Sequence, residues 1–287
     1  MVPRSMAPLT YRPLREEDFA EVLAVNGRAF DDLVGRELPR PTLEAAYGRY
    51  RRLLDTDPGG AWVAEREGAV AGAAFALVRE GLWGLSLLVV DPPAQSAGAG
   101  RELLRLAWEH GNGARGHVIL SSTDPRAMRA YARLGLDAHP CLAARGAPRV
   151  AAPPEVRAGG PADLPLTEAV DRAVRGAAHG GDITTMLDTG AELLVIPEWA
   201  YAVVSGGRVR MCAAHDEEGA RTILRGALAR IADAGEEAEV EWLSGRQQWA
   251  IRVCVEAGLR LDADEGCVFT GGDVGPFSPY LPSGAYL

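Results

Sequence analysis

Lysine is absent from this chain of 287 residues, so arginine supplies all 30 of its permanently positive side chains. Schiff-base chemistry on a lysine amine is therefore excluded.

The formal net charge is −9, and a chain of this sign lacks the basic surface that nucleic-acid binding needs. We expect no nucleic-acid partner. The acidic balance fits simple solubility and also the attraction of a cationic amine, and composition alone does not choose between them.

Cysteine is scarce, and long hydrophobic runs are missing. The four cysteines, Cys141, Cys212, Cys254 and Cys267, have no C-x-x-C spacing, which predicts buried reduced thiols without disulfides or a metal site. No apolar run reaches the roughly 20 residues of a membrane span. The N-terminus also lacks the basic start and apolar centre of a signal peptide. These absences predict a cytoplasmic protein with no membrane partner.

The most informative stretch that is present runs from Leu82 to Gly111. The apolar run 85–90 has the length and composition of a buried strand, and Asp91-Pro92-Pro93 ends it because proline cannot donate to a sheet ladder. Residues 95–100 form a small glycine-bearing loop. Apolar residues then recur at helical spacing from 101 to 108. The order is strand, loop, helix.

Such a loop presents free backbone N–H groups at a helix N-terminus, where the helix dipole also favours negative charge. The expected ligand is a phosphate or pyrophosphate. The chain has neither G-K-[ST] for a nucleotide P-loop nor G-x-G-x-x-G for a dinucleotide site. It has Q-x-x-G-x-G after V-D-P, with Gln95, Gly98 and Gly100 at the defined positions. This pattern resembles the acyl-CoA pyrophosphate loop of the GNAT superfamily of N-acyltransferases.

A second landmark follows at 124–136, where D-P-R-A-M-R-A-Y-A-R-L-G-L is similar to the later GNAT signature N-x-x-A-x-x-x-Y-x-x-x-G-F. Ala127, Tyr131 and Gly135 are in register. Asp124 replaces the usual Asn, and Leu136 replaces the usual Phe. An aspartate accepts a hydrogen bond from a pantetheine amide but cannot donate one, so the departure puts that contact in question.

The resemblance implies an acetyl-CoA-dependent N-acetyltransferase that acetylates a primary amine of a small molecule by direct attack, with Tyr131 as general acid. A buried core tyrosine is the alternative for Tyr131. The implied cofactor-binding residues are Leu88, Val89, Val90, Gln95, Ser96, Ala97, Gly98, Ala99, Gly100, Arg101, Asp124 and Ala127. Two alternatives for the function stay open: a catalytically silent acyl-CoA-binding or regulatory protein, and an acyltransferase with another acyl group or an oxygen acceptor.

The residues that face the acceptor are less defined. Candidates, from position and resemblance, are Phe30, Asp31, Asp32, Glu65, Tyr201 and the terminal residue Leu287. The two aspartates fit a solvated N-cap pair equally simply, and the apolar tail fits packing at an edge. The general base stays open among Glu65, Glu80, Ser86, Asp91, Tyr201 and a water chain. Neither the acceptor nor a choice between monomer and homodimer can be read from the sequence.

The proline-rich stretch A-P-R-V-A-A-P-P predicts a linker. We therefore expect an N-terminal catalytic domain at 1–147, a linker at 148–155 and a second domain at 156–287. The order of predicted elements repeats after the linker. The resulting fold class is α/β (α+β), with two tandem GNAT folds, each a mixed, mostly antiparallel twisted sheet flanked by helices.

The second copy lacks the glycine loop. Aligning Leu103-Leu104 with Ile223-Leu224 places Asp216, Glu217 and Glu218 in the loop, with Glu218 at the place of Gly98. Carboxylates beside a pyrophosphate repel it. The sequence therefore predicts a degenerate second copy that does not bind acyl-CoA.

This prediction is tested by stoichiometry. Calorimetric titration of the whole chain with CoA should give one equivalent per chain, because the second copy offers carboxylates where the first offers N–H groups. Two equivalents would contradict it.

Overall fold

The structure is a computed structural model that describes residues 7–95 and 98–287. It divides into two compact units. The first comprises the described residues up to Val78 together with Leu85–Gly113, and the second comprises Arg79–Gly84 together with Ala114–Leu287. Among the described residues, no helix combines the length and apolar character needed to cross a membrane.

The strands are β1 Thr10–Pro13, β2 Ala61–Arg66, β3 Ala69–Arg79, β4 Leu82–Val90, β5 Gly116–Ser121, β6 Asp137–Gly146, β7 Arg157–Ala158, β8 Glu192–Ile196, β9 Ala200–Ser205, β10 Arg208–Ala214, β11 Ala238–Leu243, β12 Arg260–Gly272 and β13 Tyr280–Leu281. The α-helices are α1 Phe19–Val34, α2 Leu43–Thr56, α3 Ala99–Glu109, α4 Pro125–Arg133, α5 Leu164–Arg175, α6 Gly181–Asp188, α7 Glu217–Asp233 and α8 Gln248–Glu256.

The first unit carries strands in the order β1-β2-β3-β4, and β2 is antiparallel to both β1 and β3. Aromatic side chains join its helices to this sheet. The ring of Tyr50 on α2 lies edge-on to Phe19 of α1 at 5.4 Å and to Phe75 of β3 at 5.1 Å between centroids, a favourable geometry for aromatic pairs.

Helix α1 continues to Val34 and ends at Gly35 in the left-handed conformation. The sequence indicated a break at Phe30, because the apolar periodicity stops there. Asp31 and Asp32 therefore lie in the last turns of α1, and the N-cap interpretation of this pair is wrong. The end of α1 is set by Gly35, which supplies the C-terminal stop, and not by the point at which the apolar periodicity ends.

The second unit carries strands in the order β5-β12-β6-β11-β10-β9-β8-β7, with β13 paired to β10. Strands β10 and β11 pair in parallel, whereas β12 is antiparallel to β5 and β6, β11 to β6, and β10 to β9. Helices α7 and α8 bury their apolar faces against this sheet, in a core that includes Leu224, Trp249 and Val253. Mixed, mostly antiparallel sheets flanked by helices are thus confirmed as the fold class.

Strands from both sides of the predicted linker share the sheet of the second unit. β12 lies between β5 and β6, and β6 in turn pairs with β11. The compact units therefore divide the chain elsewhere than at 148–155, and the repeat boundary at that linker stays a prediction. The sequence indicated only residues 267–270 of β12, because the first half of this strand is polar and mostly exposed or half-buried.

Gly266 is the most constrained glycine of β12. Its φ is +115°, and a Cβ built on it would lie 2.1 Å from the carbonyl oxygen of Ser121. Gly266→Ala should lower the free energy of unfolding by about 2 kcal/mol or more, because both the backbone and the neighbouring strand must shift. Urea denaturation measures this. Gly245→Ala, with no atom within 4 Å of its Cβ position, is the control, and equal stability of the two variants would contradict the account.

Candidate functional site

The connection between β4 and α3 spans residues 91–98 and is tied to the strand before it. The backbone N–H of Asp91 donates to the carbonyl of Ala71 at 2.9 Å. The side-chain amide of Gln95 donates to the carbonyl of Val90 at 3.1 Å, so this residue braces the loop against the strand end. Ser96 and Ala97, both predicted cofactor residues, lie outside the described residues.

No side chain among the described residues caps the N-terminus of α3. Gly98 is the N-cap residue with φ +86° and ψ 0°, and it has no side chain to accept from the first-turn N–H groups. The guanidinium of Arg101 lies 3.8 Å from the position that a Cβ of Gly98 would take. Open N–H groups, the positive end of the helix dipole and an arginine together favour an anion.

The other cofactor residues predicted in this unit adjoin the same helix N-terminus. A Cβ built on Gly100 would be in ordinary van der Waals contact with the Val90 side chain, and Ala99 is buried. In β4 the side chain of Val89 is buried, while Leu88 and Val90 are half-buried. The sequence placed Leu88, Val89 and Val90 correctly in a strand, whereas Ala99 and Gly100, expected in the loop, lie in the first turn of α3.

Arg49 of α2 is a contact that the sequence did not reveal. Its guanidinium donates to the hydroxyl of Ser86 on β4 at 2.7 Å and also to the Ser86 carbonyl. A β4 carbonyl thus accepts from a side chain. An arginine next to the aromatic Tyr50 carries no distinguishing sequence signal.

The predicted acceptor carboxylates of the first unit differ in their partners. Asp31 accepts from the guanidinium of Arg40 and from the N–H of Leu38, and its hydrogen bond with Arg40 lowers the pKa of this carboxyl. Asp32 is exposed. It makes no ion pair with any residue that the structure describes. Phe30 is half-buried in α1.

Each candidate base other than Tyr201 already has an arginine partner: Glu65 accepts from Arg12, Glu80 from Arg172, Asp91 from Arg28, and Ser86 from Arg49. An arginine partner stabilises the ionised form of a carboxyl and so weakens it as a base. For Glu80, the hydrogen bond with Arg172 is the largest cause of a lowered pKa. The arrangement does not select a side-chain base.

In the second unit, Tyr131 lies on α4 and is 4% exposed. Its ring packs edge-on to Phe269 at 5.6 Å between centroids. Burial, and secondarily the charge of Asp124, raises the pKa of the Tyr131 hydroxyl. The phenol is therefore protonated at neutral pH, the form that a proton donor needs. The hydroxyl makes no hydrogen bond to any residue in the described part of the chain.

Asp124 is the N-cap of α4. Its carboxylate accepts from the backbone N–H of Arg126 at 2.8 Å and pairs with the Arg126 guanidinium at 2.9 Å. Burial raises the pKa of Asp124, but these Arg126 contacts outweigh it and leave the pKa lowered. Asp124 is thus ionised and able only to accept hydrogen bonds. Ala127 lies in the first turn of α4 and is half-buried.

Tyr201 and Leu287, predicted separately, belong to one buried cluster of the second unit. The Tyr201 hydroxyl donates to Asp171, and His179 contacts Asp171 through Nδ1 at 2.7 Å. The Nε2 of His179 lies 2.7 Å from the terminal oxygen of Leu287. Asp171 and His179 were missed because an isolated Asp and His have no informative spacing.

Burial and contacts within this cluster determine the protonation states of Tyr201 and Asp171. Burial raises the pKa of Tyr201 well above its ordinary value. Burial raises the pKa of Asp171 as well, but the charge and hydrogen bond of His179 outweigh that effect and lower it. A protonated tyrosine that donates to a carboxylate is no general base.

The comparisons with known proteins agree with this geometry. The model of the Acetyltransferase (GNAT) family matches residues 28–136. No curated protein shows a significant match. A solved structure of a proposed acetyltransferase from Pyrococcus horikoshii has TM-score 0.79 and 15% identity, over 100% of this chain and 98% of that one.

Two further solved structures share the architecture. A tandem GNAT protein from the clavulanic acid biosynthesis pathway has TM-score 0.60 and 15% identity, over 93% of this chain and 99% of that one. A GCN5-related N-acetyltransferase from Sphaerobacter thermophilus has TM-score 0.59 and 15% identity, over 93% and 97%. Because the sequence identities are this low, the structural similarity to these proteins establishes the fold alone.

Gly98 is the residue whose replacement separates ligand binding from stability. Gly98→Ala should weaken CoA binding at least about tenfold, because a side chain at φ +86° costs on the order of 1–2 kcal/mol and displaces the first-turn N–H groups. Gly113→Ala is matched, because Gly113 has φ +85° and no atom within 4 Å. It should lose similar stability but no affinity. Calorimetry and urea denaturation measure both, and unchanged CoA affinity of Gly98→Ala would contradict the assignment.

Proposed function

We propose that this chain, whose residues 28–136 match the model of the Acetyltransferase (GNAT) family, transfers an acetyl group from acetyl-CoA to a primary amine of a small molecule. The observation that carries the proposal is the N-terminus of α3, where the N-cap residue Gly98 has no side chain to accept from the first-turn N–H groups and Arg101 lies beside it. It supports an anion of the size of a diphosphate.

In this proposal the backbone N–H groups of residues 98–101 bind the diphosphate of acetyl-CoA. Gln95 keeps the loop in place through its bond to the Val90 carbonyl. The backbone of Leu88 and Val90 holds the pantetheine arm as an added strand and polarises the thioester carbonyl. Asp124 accepts a hydrogen bond from the arm, since the carboxylate has no proton to donate.

Tyr131 is the proposed general acid. The amine nitrogen attacks the thioester carbon and loses one proton to water, the carbon–sulfur bond breaks, and the departing sulfur takes the proton of the Tyr131 hydroxyl. Because burial raises the pKa of Tyr131, the phenol is protonated over the neutral range and has a proton to donate. No side-chain base is assigned, since the candidate carboxylates are held by arginines.

For the acceptor, Asp32 is the carboxylate that we propose to attract a cationic amine, since it is exposed on α1. Asp31 and Glu65 contribute negative charge but are paired to arginines. Tyr201 and Leu287 are almost fully buried, and their polar atoms contact Asp171 and His179. We therefore propose that Tyr201 and Leu287 stabilise the surrounding structure and do not contact the amine.

The test is thiol release from acetyl-CoA with a panel of small amines. Tyr131→Phe should lower kcat by about 10- to 10⁴-fold, the range for a positioned acid, with little change in CoA affinity. Tyr50→Phe, another buried tyrosine, should leave kcat within about twofold because it only loses a hydroxyl from a core.

The outcomes separate the alternatives. An unchanged kcat in Tyr131→Phe would remove this residue from the mechanism. No turnover with any amine, together with tight CoA binding, would favour a silent acyl-CoA-binding or regulatory protein. Turnover with longer acyl-CoA but not acetyl-CoA would favour another acyl group.

A further inference from the structure

The strands β10 and β11 of the second unit separate along their length. Among the described residues they pair in parallel at only two positions, Arg208 with Glu239 and Val209 with Val240. The opposite edge of β10 pairs with β9 as far as Ala214. The end of β10 therefore has one edge that β11 leaves unpaired, and the backbone groups there need other partners.

The C-terminal tail supplies those partners. β13 is antiparallel to β10, with Cys212 opposite Leu281 and Ala213 opposite Tyr280. Because β9 already occupies the other edge at Cys212 and Ala213, β13 lies on the edge that faces β11. Leu281 is 2% exposed and belongs to the same apolar core as Cys212.

Gln247 holds the tail from the side of β11. Its side-chain NH₂ donates to the carbonyls of Phe277 and Tyr280, each at 3.1 Å. Its side-chain oxygen accepts from the N–H of Ser244 at 3.1 Å, directly after β11. Gln247 is 1% exposed, so these bonds are shielded from water and are strong.

The end of the tail is bound as well. Leu287 is 1% exposed, and its terminal oxygen lies 2.7 Å from Nε2 of His179. Asp171 contacts the other ring nitrogen and orients the ring. The Leu287 side chain fills the space beside Gly84, where a Cβ would lie 1.8 Å from its Cδ1. Leu287 is thus held both through its backbone oxygen and through its side chain.

The helix that follows β10 is closed to an anion. Asp216 caps α7 by accepting from the N–H of Gly219 at 2.8 Å, and Trp199 donates to the same carboxylate at 3.1 Å. The hydrogen bond from Gly219 is the largest cause of the lowered pKa of Asp216. Only residues 215 and 216 connect β10 to α7, against residues 91–98 in the first copy.

This shorter connection corrects the alignment made from the sequence. Glu218 lies in the first turn of α7, and Asp216 is the N-cap that corresponds to Gly98. The conclusion drawn from that alignment is unaffected, because a carboxylate still stands at the helix N-terminus.

We propose that the groove between β10 and β11 is a binding site for the C-terminal segment of this same chain, residues 277–287, which adds Tyr280 and Leu281 to β10 as a short strand. The segment adds to β10 as the proposed function has the pantetheine arm add to β4. The comparison with the cofactor rests on the proposed function, whereas the peptide site itself does not. The second copy thus binds a peptide in the groove that corresponds to the cofactor groove of the first.

Hydrogen exchange of the whole chain without ligand tests the site. Gln247→Ala should raise the exchange rates of amides in 277–287 at least about tenfold, because two buried hydrogen bonds to the tail are lost. Gln248→Ala is the matched control, since Gln248 is exposed beside it, and should leave these rates within about twofold. Unchanged tail exchange in Gln247→Ala would overturn the proposal.

A second variant leaves every core side chain in place. Two glycines appended after Leu287 lengthen the chain at a residue that is 1% exposed and should also speed exchange of 277–287 at least about tenfold, because the added residues displace Leu287 from its buried position beside His179. Wild-type exchange rates in this variant would show that the contact of Leu287 with His179 does not hold the segment and would overturn that part of the proposal.

Adding CoA to the wild-type chain separates this proposal from the proposed function. We expect CoA to slow exchange within 88–104 and to leave 208–224 and 277–287 unchanged. Slowed exchange in 208–224 would overturn occupation of the groove by the tail. No slowing within 88–104 would count against the proposed function and leave the peptide site standing.

Discussion

The first N–H groups of a helix that follows a buried strand must find a partner, and the two copies answer this requirement differently. At α3 the N-cap is Gly98, which offers no side chain. At α7 the N-cap is Asp216, whose carboxylate accepts from Gly219. The first arrangement leaves hydrogen-bond donors for an anionic ligand, and the second satisfies them within the chain. The functional difference that we propose between the copies depends on these two N-cap residues.

The strand before each helix faces a related requirement. Where β10 separates from β11, unpaired backbone groups would remain in a protein interior, at a cost comparable to lost hydrogen bonds. The tail removes that cost by adding β13. Because Gln247 and His179 fix the tail at two further places, its path is determined by side chains as well as by the strand edge. In our proposal, the groove at β10 holds a peptide where the corresponding groove of the first copy binds the cofactor.

Much of this could be predicted from sequence where local pattern and tertiary structure agree. The strand expected at 85–90 lies within β4, and the element order of strand, loop and helix at 82–109 is observed. The tail was expected to pack, and Tyr280 and Leu287 are buried. Buried thiols were expected too, and all four cysteines are free and buried. In these places apolar periodicity, proline and glycine fix the structure locally.

The remaining features depend on partners far along the chain. The polar first half of β12 forms a strand only because β6 supplies hydrogen bonds. His179 and Asp171 meet Tyr201 and Leu287 only after folding, and no spacing in the sequence reveals that cluster. The bond of Arg49 to Ser86 joins a helix to a strand 37 positions later in the chain. Long-range pairing of this kind leaves no periodic signal.

The central claim is that α3, and not α7, presents an anion cradle. A crystal structure of the chain with bound CoA tests it most directly. The account predicts the diphosphate within hydrogen-bond distance of the backbone N–H groups of residues 98–101, with Asp216 still capping α7. A diphosphate bound elsewhere, or at the N-terminus of α7, would contradict it.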